Sequence, residues 1–197
     1  MNLALFDFDG TITDRELFAD FVARAVPPQR LRLGRWLFAP MVLGYKLGLV
    51  SGSTIRARVA RFGFQGLDAA QAEQAGRRFA DEVLPGAIRP GALQRIAWHR
   101  EQGDTVVVVS GAFDLYLRPW CERHGLDLLC SSLEVEHGVL TGRYRGAQCV
   151  GPEKPRCVGE RYDLSSYAQI YAYGDTREDL DMLALAHRRW YRWQEMA

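Results

Sequence analysis

Apolar residues change their spacing along the chain, and each change marks an element. Leu3-Ala-Leu-Phe6 is an apolar run stopped by Asp7-Phe-Asp-Gly10, the pattern of a buried strand that ends in a turn. From residue 16 to about 82 the apolar positions recur every three or four residues, with breaks at Pro27-Pro28, Ser51-Gly52-Ser53 and 62–66. This predicts three or four helices and no strand. Beyond Pro85-Gly86 and Pro90-Gly91 the pattern predicts a helix over 93–102. Next comes the β-branched run Thr105-Val-Val-Val-Val109, typical of a parallel strand buried on both faces and ended by Ser110-Gly111. A helix over 113–124, a strand over 126–131 and a hairpin over 133–144 turning at His137-Gly138 follow. A strand over 168–173, a helix from Gly174-Asp175 to about His187 and a short strand over 189–193 close the chain. Alternating strands and helices predict a parallel α/β sheet, with an all-helical segment inserted after the first strand.

Composition narrows the class. With 197 residues, 48% hydrophobic and 25% charged, the chain has the make-up of an ordinary domain with a real core, which excludes fibrous, low-complexity and mainly disordered classes. The longest apolar run, 36–50, is broken by Pro40, Gly44 and Lys46 and falls short of the roughly 20 residues of a membrane span. Asp7 and Asp9 stand where an export signal would be apolar, so a cytoplasmic location is expected. Cys121, Cys130, Cys149 and Cys157 lack CxxC spacing and suit reduced, structural thiols.

The net charge of +1 conceals an asymmetry: residues 15–85 hold 11 basic and 6 acidic side chains. Between 21 and 66 stand Arg24, Arg30, Arg32, Arg35, Lys46, Arg56, Arg58 and Arg61, with no Asp or Glu. An anionic partner and a solvated basic helix face both fit this run. Duplex nucleic acid is not expected, because no binding motif accompanies the charges.

In open α/β sheets ligands bind at the carboxyl ends of the strands. Asp7 with Asp9, Ser110, and Asp175 with Asp179 all fall there. One carboxylate at a strand end can simply cap the next helix, but three coinciding ends point to a site. Carboxylates can hold Mg2+, and a hydroxyl with a lysine can hold phosphate oxygens, so the set points to phosphoryl transfer.

Asp7-Phe-Asp-Gly-Thr11, Val109-Ser-Gly111, Lys154 and Gly174-Asp-Thr-Arg-Glu-Asp179 together resemble, in order, the four motifs of the haloacid dehalogenase (HAD) superfamily of phosphohydrolases. Ser110-Gly-Ala-Phe-Asp114, His124-Gly-Leu-Asp127 and Gly138-Val-Leu-Thr-Gly142 resemble its subfamily IB, the phosphoserine phosphatase branch. Cys149-Val-Gly-Pro-Glu-Lys154 and His187-Arg-Arg-Trp-Tyr-Arg192 are similar to a neighbouring branch that includes phosphatidylglycerophosphatase C. The resemblance implies a HAD-like doubly wound parallel sheet (Rossmann-like core) formed by 1–14 and 86–197, with 15–85 as an inserted all-helical cap.

The resemblance also implies roles. Asp7 would be the nucleophile that becomes an aspartyl phosphate, and Asp9 would protonate the leaving alkoxide and then activate water. Mg2+ would be held by Asp7, the backbone carbonyl of Asp9 and Asp175, with Asp179 orienting its waters. Ser110, beside Gly111, would hydrogen-bond a phosphoryl oxygen, and Lys154 would balance charge. Thr11, grouped with Gly111 among the substrate-binding residues, supports the loop or caps the following helix. Asp9 discriminates, because dehalogenases of the superfamily lack this second carboxylate and the related transport ATPases carry Lys there.

For the substrate, Glu16 is placed to receive an amino group and Arg58 a carboxylate, the pair that would read an amino acid backbone. The basic, apolar stretch 30–50 gives two further readings: contact with a membrane surface, which would admit a lipid phosphate, or a cap helix buried on the core or on a second subunit, which is favoured. His99, His124, His137 and His187 are expected at surfaces or helix ends, outside catalysis. Trp190, Tyr191 and Trp193 are expected to pack at the sheet edge. The sequence thus leads to a Mg2+-dependent phosphomonoesterase acting on a small phosphorylated metabolite, monomeric or homodimeric. A lipid phosphate phosphatase is the alternative.

Overall fold

Leu3, Ala4, Leu5 and Phe6 are all fully buried, and they form β1 in the interior of the sheet. In the computed structural model, which describes residues 1–196, four helices follow: α1 (Phe18–Ala25), α2 (Pro28–Lys46), α3 (Gly52–Phe64) and α4 (Ala69–Glu82). The chain continues through α5 (Pro90–Glu101), β2 (Thr105–Phe113), α6 (Asp114–His124) and β3 (Asp127–Ser131), then a hairpin of β4 (Leu133–Glu136) and β5 (Val139–Tyr144). It ends with α7 (Glu153–Arg161), β6 (Ile170–Gly174), α8 (Leu180–Leu183), β7 (Arg188–Tyr191) and β8 (Gln194–Glu195).

The main sheet has the order β3-β2-β1-β6-β7-β8, parallel except for the β7–β8 pair. The connections reverse direction between β1 and β6, the topological switch point of a doubly wound sheet. Alternation along the strands builds a core on each face. Leu3, Leu5, Val107, Val109 and Ala172 join Met182 and Leu183 on one side. Ala4, Phe6, Val106, Val108, Tyr173 and Trp190 form the other. Phe6 stacks on Tyr173 at 4.2 Å and Tyr173 on Trp190 at 4.7 Å. Each such fully buried side chain contributes roughly 1.5–3 kcal/mol.

This second core runs without a break into the inserted helices. Phe21 of α1 meets Phe64 of α3, Phe79 of α4 and Tyr116 of α6. α4 crosses α6 so closely that a Cβ on Gly76 would lie 2.0 Å from the Leu115 carbonyl oxygen. The hairpin turns through His137 (φ 51°) and Gly138 (φ 79°), the two left-handed positions of a tight two-residue turn. It docks on the insert through Leu140 N–H to Leu67 O and Gly66 N–H to Leu140 O, each 2.8 Å, and so fixes α3 over the sheet ends.

Several expectations need correction. α2 is not buried on the core: none of its residues is buried, and it packs mainly on α3, through contacts such as Phe38 against Phe62, with Leu31 reaching the edge of the core. β2 runs on through Ser110-Gly111 to Phe113, past an irregularity in its pairing with β3. α7 was not expected, because Pro155 and five charged residues hide its pattern; Pro155 lies in the first turn, where no helical N–H is missed. The predicted helix to His187 is a single turn over Arg177–Asp179 followed by the short α8. The terminal strand breaks at Arg192 and Trp193, both left-handed, which fold β8 back onto β7. His99 is fully buried, with Nδ1 2.8 Å from Asp104 Oδ2 and Nε2 2.9 Å from the Tyr173 hydroxyl. Burial, working against the Asp104 carboxylate, holds its pKa below the usual 6.5. None of the four cysteines forms a disulfide, and burial pushes the Cys121 and Cys149 thiols up to about 12.

Candidate active site

The carboxyl ends of β1, β2 and β6 converge on a cavity of about 40 Å³, space for about three waters. Asp7, Asp9, Glu16, Ser110, Gly111, Lys154 and Asp179 line it, and α3 contributes Arg56 from above.

Asp7 is set by the sheet itself, since its N–H donates to the Tyr173 carbonyl at 2.9 Å and continues the β1–β6 ladder. The chain then turns sharply at Gly10, whose φ of +84° suits glycine. A Cβ there would lie 2.4 Å from Asp175 Oδ2, so the turn and the β6 carboxylate fit only without a side chain. Thr11 closes the same corner from below, its hydroxyl donating to Asp175 Oδ1 at 3.0 Å. Gly174 permits a matching approach, a Cβ there falling 2.5 Å from the Asp179 side chain.

Lys154, 2% exposed, reaches in from α7 and donates to Asp7 Oδ1 and Asp179 Oδ1, both at 2.6 Å. The other Asp179 oxygen accepts the N–H groups of Asp175 (3.1 Å) and Thr176 (2.9 Å) and the Thr176 hydroxyl (3.0 Å). Burial works against the Lys154 ammonium, but Asp7 and Asp179 outweigh it and keep it charged. Asp7 is pushed well above the usual carboxylate range by burial, only partly relieved by Lys154. Burial also raises Asp175, against the Thr11 hydroxyl, whereas Asp179, though buried, is held low by Lys154. Asp9 stands apart, its Oδ1 accepting the Leu17 N–H at 3.1 Å. Burial, then the Glu16 carboxylate, pushes it up to about 7.

These groups suit a hard divalent cation. Asp7, Asp175 and Asp179 each bring a carboxylate oxygen to within 4.8 Å of the others, and a single ammonium, on Asp7 and Asp179, offsets only part of their charge. Asp179 commits both oxygens to Lys154 and to N–H and O–H donors, which leaves Asp7 Oδ2 and Asp175 Oδ2 as the open carboxylate ligands. The Asp9 side chain lies outside this cluster. Ser110 Oγ accepts the Ala112 N–H at 3.1 Å, so its own proton remains to be donated into the cavity. Gly111 is hemmed in by Val150, 2.5 Å from where a Cβ would stand.

Two expected substrate residues lie elsewhere. Thr11 is buried behind Asp175 and does not line the cavity. Arg58 is exposed, in a groove with Arg61, Tyr144 and Gln148. Arg56 takes the inward position, because side chains two apart on a helix face different directions. It donates to both Glu178 oxygens at 3.0 and 2.9 Å and, through Nε, to Gln148 Oε1 at 3.4 Å. Sequence reading passed over Arg56 and Glu178, since the pattern Ile55-Arg-Ala-Arg-Val59 does not tell which arginine looks inward. The docked hairpin decides it: Gly142 packs against the backbone of Arg61 and Gln65 and fixes the rotation of α3.

A family model for haloacid dehalogenase-like hydrolases matches residues 4–184. The chain is 32% identical over 198 residues to protein CicA of Caulobacter vibrioides, covering 96% of this chain and 85% of that one. It is 31% identical to a phosphoserine phosphatase of Albidiferax ferrireducens, over 92% and 74% of the two chains. A solved Bordetella pertussis protein of unknown function superposes with a TM-score of 0.82 at 21% identity, over 95% of this chain and 88% of that one. Paired aspartates after β1, a serine on β2, a buried lysine and an acidic turn after β6 thus sit on a sheet whose likeness to these proteins runs nearly end to end: the chain belongs to the haloacid dehalogenase-like hydrolases.

Proposed function

We propose that this chain is a Mg2+-dependent phosphomonoester hydrolase of phosphoserine phosphatase type, working through an aspartyl phosphate on a small phosphorylated metabolite under the helical cap of residues 15–85. The observation that carries the reading is the buried arrangement in which Lys154 bridges Asp7 and Asp179 while Asp9, raised to about 7 by burial and the Glu16 carboxylate, lines the same cavity outside the carboxylate cluster. Mg2+ bound by Asp7, Asp175 and the Asp9 carbonyl would neutralise the repulsion between the Asp7 carboxylate and a phosphate dianion.

Asp7 attacks phosphorus in line, an O–P bond forms to its carboxylate, and the bond to the leaving oxygen breaks. Asp9, protonated near neutrality, gives its proton to that oxygen, and the alcohol departs. The Asp9 carboxylate then takes a proton from a water that attacks the same phosphorus, which releases phosphate and restores Asp7. Lys154 aims Asp7 and favours its carboxylate form against burial, Ser110 donates to a phosphoryl oxygen, and the narrow space beside Gly111 keeps the phosphoryl group in place. Glu16 and Arg56 face the leaving group from the cap side, an acid for an ammonium and a guanidinium for a carboxylate.

Mg2+-dependent phosphate release from L-phosphoserine and other small phosphomonoesters tests the reading, with Asp7→Asn as blank. Turnover that vanishes in Asp7→Asn, in a protein that still unfolds cooperatively, supports it; undiminished turnover removes Asp7 as nucleophile.

A further inference from the structure

We propose that the outer face of α2 docks on an anionic membrane surface, an interaction independent of the catalytic reading. α2 is apolar on two opposite faces, and α3 covers one of them. Leu31, Gly34, Phe38 and Met41 form the inward stripe, with Phe38 edge-on to Phe62 at 5.5 Å and Gly34 giving the same ring room. On the other side Leu33, Trp36, Leu37, Leu43 and, in the turn that follows, Leu47 and Leu49 are all exposed, Trp36 by 84% and Leu49 by 79%. Positions 33, 36, 37, 40, 43 and 47 recur every three or four residues, so these side chains make one ridge. An uncovered apolar ridge of this size marks an interaction surface.

Charge selects the occupant. At 100° per residue Arg32, Arg35 and Lys46 fall along one flank of the ridge. All three are exposed, and among the described residues none of them makes an ion pair, whereas exposed Arg77, Arg118, Arg143 and Arg156 each hold a carboxylate. The whole stretch 21–66 has no acidic residue to answer them. A second copy docked ridge to ridge across a two-fold axis would present the same stretch, which has no carboxylate to answer the cationic flank. A bilayer with anionic headgroups satisfies both parts: phosphates for the cations, and the boundary of the acyl chains for Trp36 and the leucines. No helix of the described residues is long and apolar enough to cross a membrane, so α2 would lie along the surface.

The test is co-sedimentation of the full chain with phosphatidylserine–phosphatidylcholine vesicles and with pure phosphatidylcholine vesicles, each at low and high salt. The proposal predicts binding to the anionic vesicles that weakens with salt, and a blue shift of Trp36 emission, read as the difference from Trp36→Phe. The triple variant R32Q/R35Q/K46Q should lose about hundredfold in partition, at about fivefold per charge. W36S/L43S/L47S should lose binding altogether. Because these side chains are exposed, both variants should keep the parent Tm and the parent turnover of a soluble phosphomonoester. Absence of binding at low salt would overturn the proposal, as would equal, salt-independent binding to neutral vesicles. Concentration-dependent dimers that vanish in W36S/L43S/L47S would overturn it in favour of a second copy.

Discussion

Asp7 and Trp36 belong to regions built on opposite terms. Around Asp7 the polar groups are held from several sides: the β6 backbone, Lys154, and a turn that tolerates no side chain at Gly10. Around Trp36 little is held; the helix packs mainly on α3, and its outer apolar side chains and flanking cations lack partners within the described residues. The first region stores its chemistry in over-determined geometry, as preorganised catalysis requires. The second keeps its surface available, as an association surface requires. Substitutions in the two regions should therefore differ in kind as well as in size.

The largest effect belongs to Asp7→Asn, with a rate loss of about 10⁴-fold or more. Lys154→Met should follow, costing about 3–5 kcal/mol by leaving Asp7 and Asp179 buried without their cation, together with most of the turnover; denaturant unfolding and phosphate release measure the two losses. Next comes Gly10→Ala, which forces a left-handed alanine against Asp175 at a backbone cost of about 1–2 kcal/mol. It should raise the Mg2+ concentration needed for half-maximal rate, and an unchanged Mg2+ titration would show that Asp175 is not a ligand. Arg56→Ala should raise KM for phosphoserine about tenfold while sparing an aryl phosphate. Arg58→Ala should alter neither, and the reverse result would restore the outer arginine as the substrate reader.

A smaller effect comes from pH. His99 is neutral in the fold because burial lowers its pKa below 6.5, so the folded state binds fewer protons than the unfolded chain. Its contribution is therefore present above about pH 6.5 and is lost as pH falls through the lowered folded value. His99→Gln should flatten that part of the stability curve, as followed by thermal unfolding. The smallest effect is expected from Leu43→Ser, within about 0.5 kcal/mol in stability because its side chain is exposed.

The same contrast explains what could be read in advance. Asp7-Phe-Asp-Gly-Thr11, the valines of β2 and Gly174-Asp-Thr-Arg-Glu-Asp179 carry their meaning locally, as apolar runs ending in acids and glycines, so the sheet and the strand-end acids were legible in the sequence. Arg56 was not, because its inward aim depends on how the hairpin docks against Gly66 and Leu67, far along the chain. His99 was missed for a similar reason: its partner Tyr173 lies 74 residues away, and a helical histidine gives no sign of burial. Lys154 was recognised, but its helix was hidden by Pro155 and dense charge. For α2 the apolar content was plain, yet the number of faces that find a partner is set by tertiary packing.

The central claim is that phosphoryl transfer passes through Asp7. Acid quenching during turnover of a small phosphomonoester with Mg2+, then borohydride reduction and peptide mass analysis, tests it directly. Reduction of Asp7 to the corresponding alcohol, dependent on substrate and absent in Asp7→Asn, is the predicted result. An unmodified Asp7 during sustained turnover, or a mark on another residue, would contradict it.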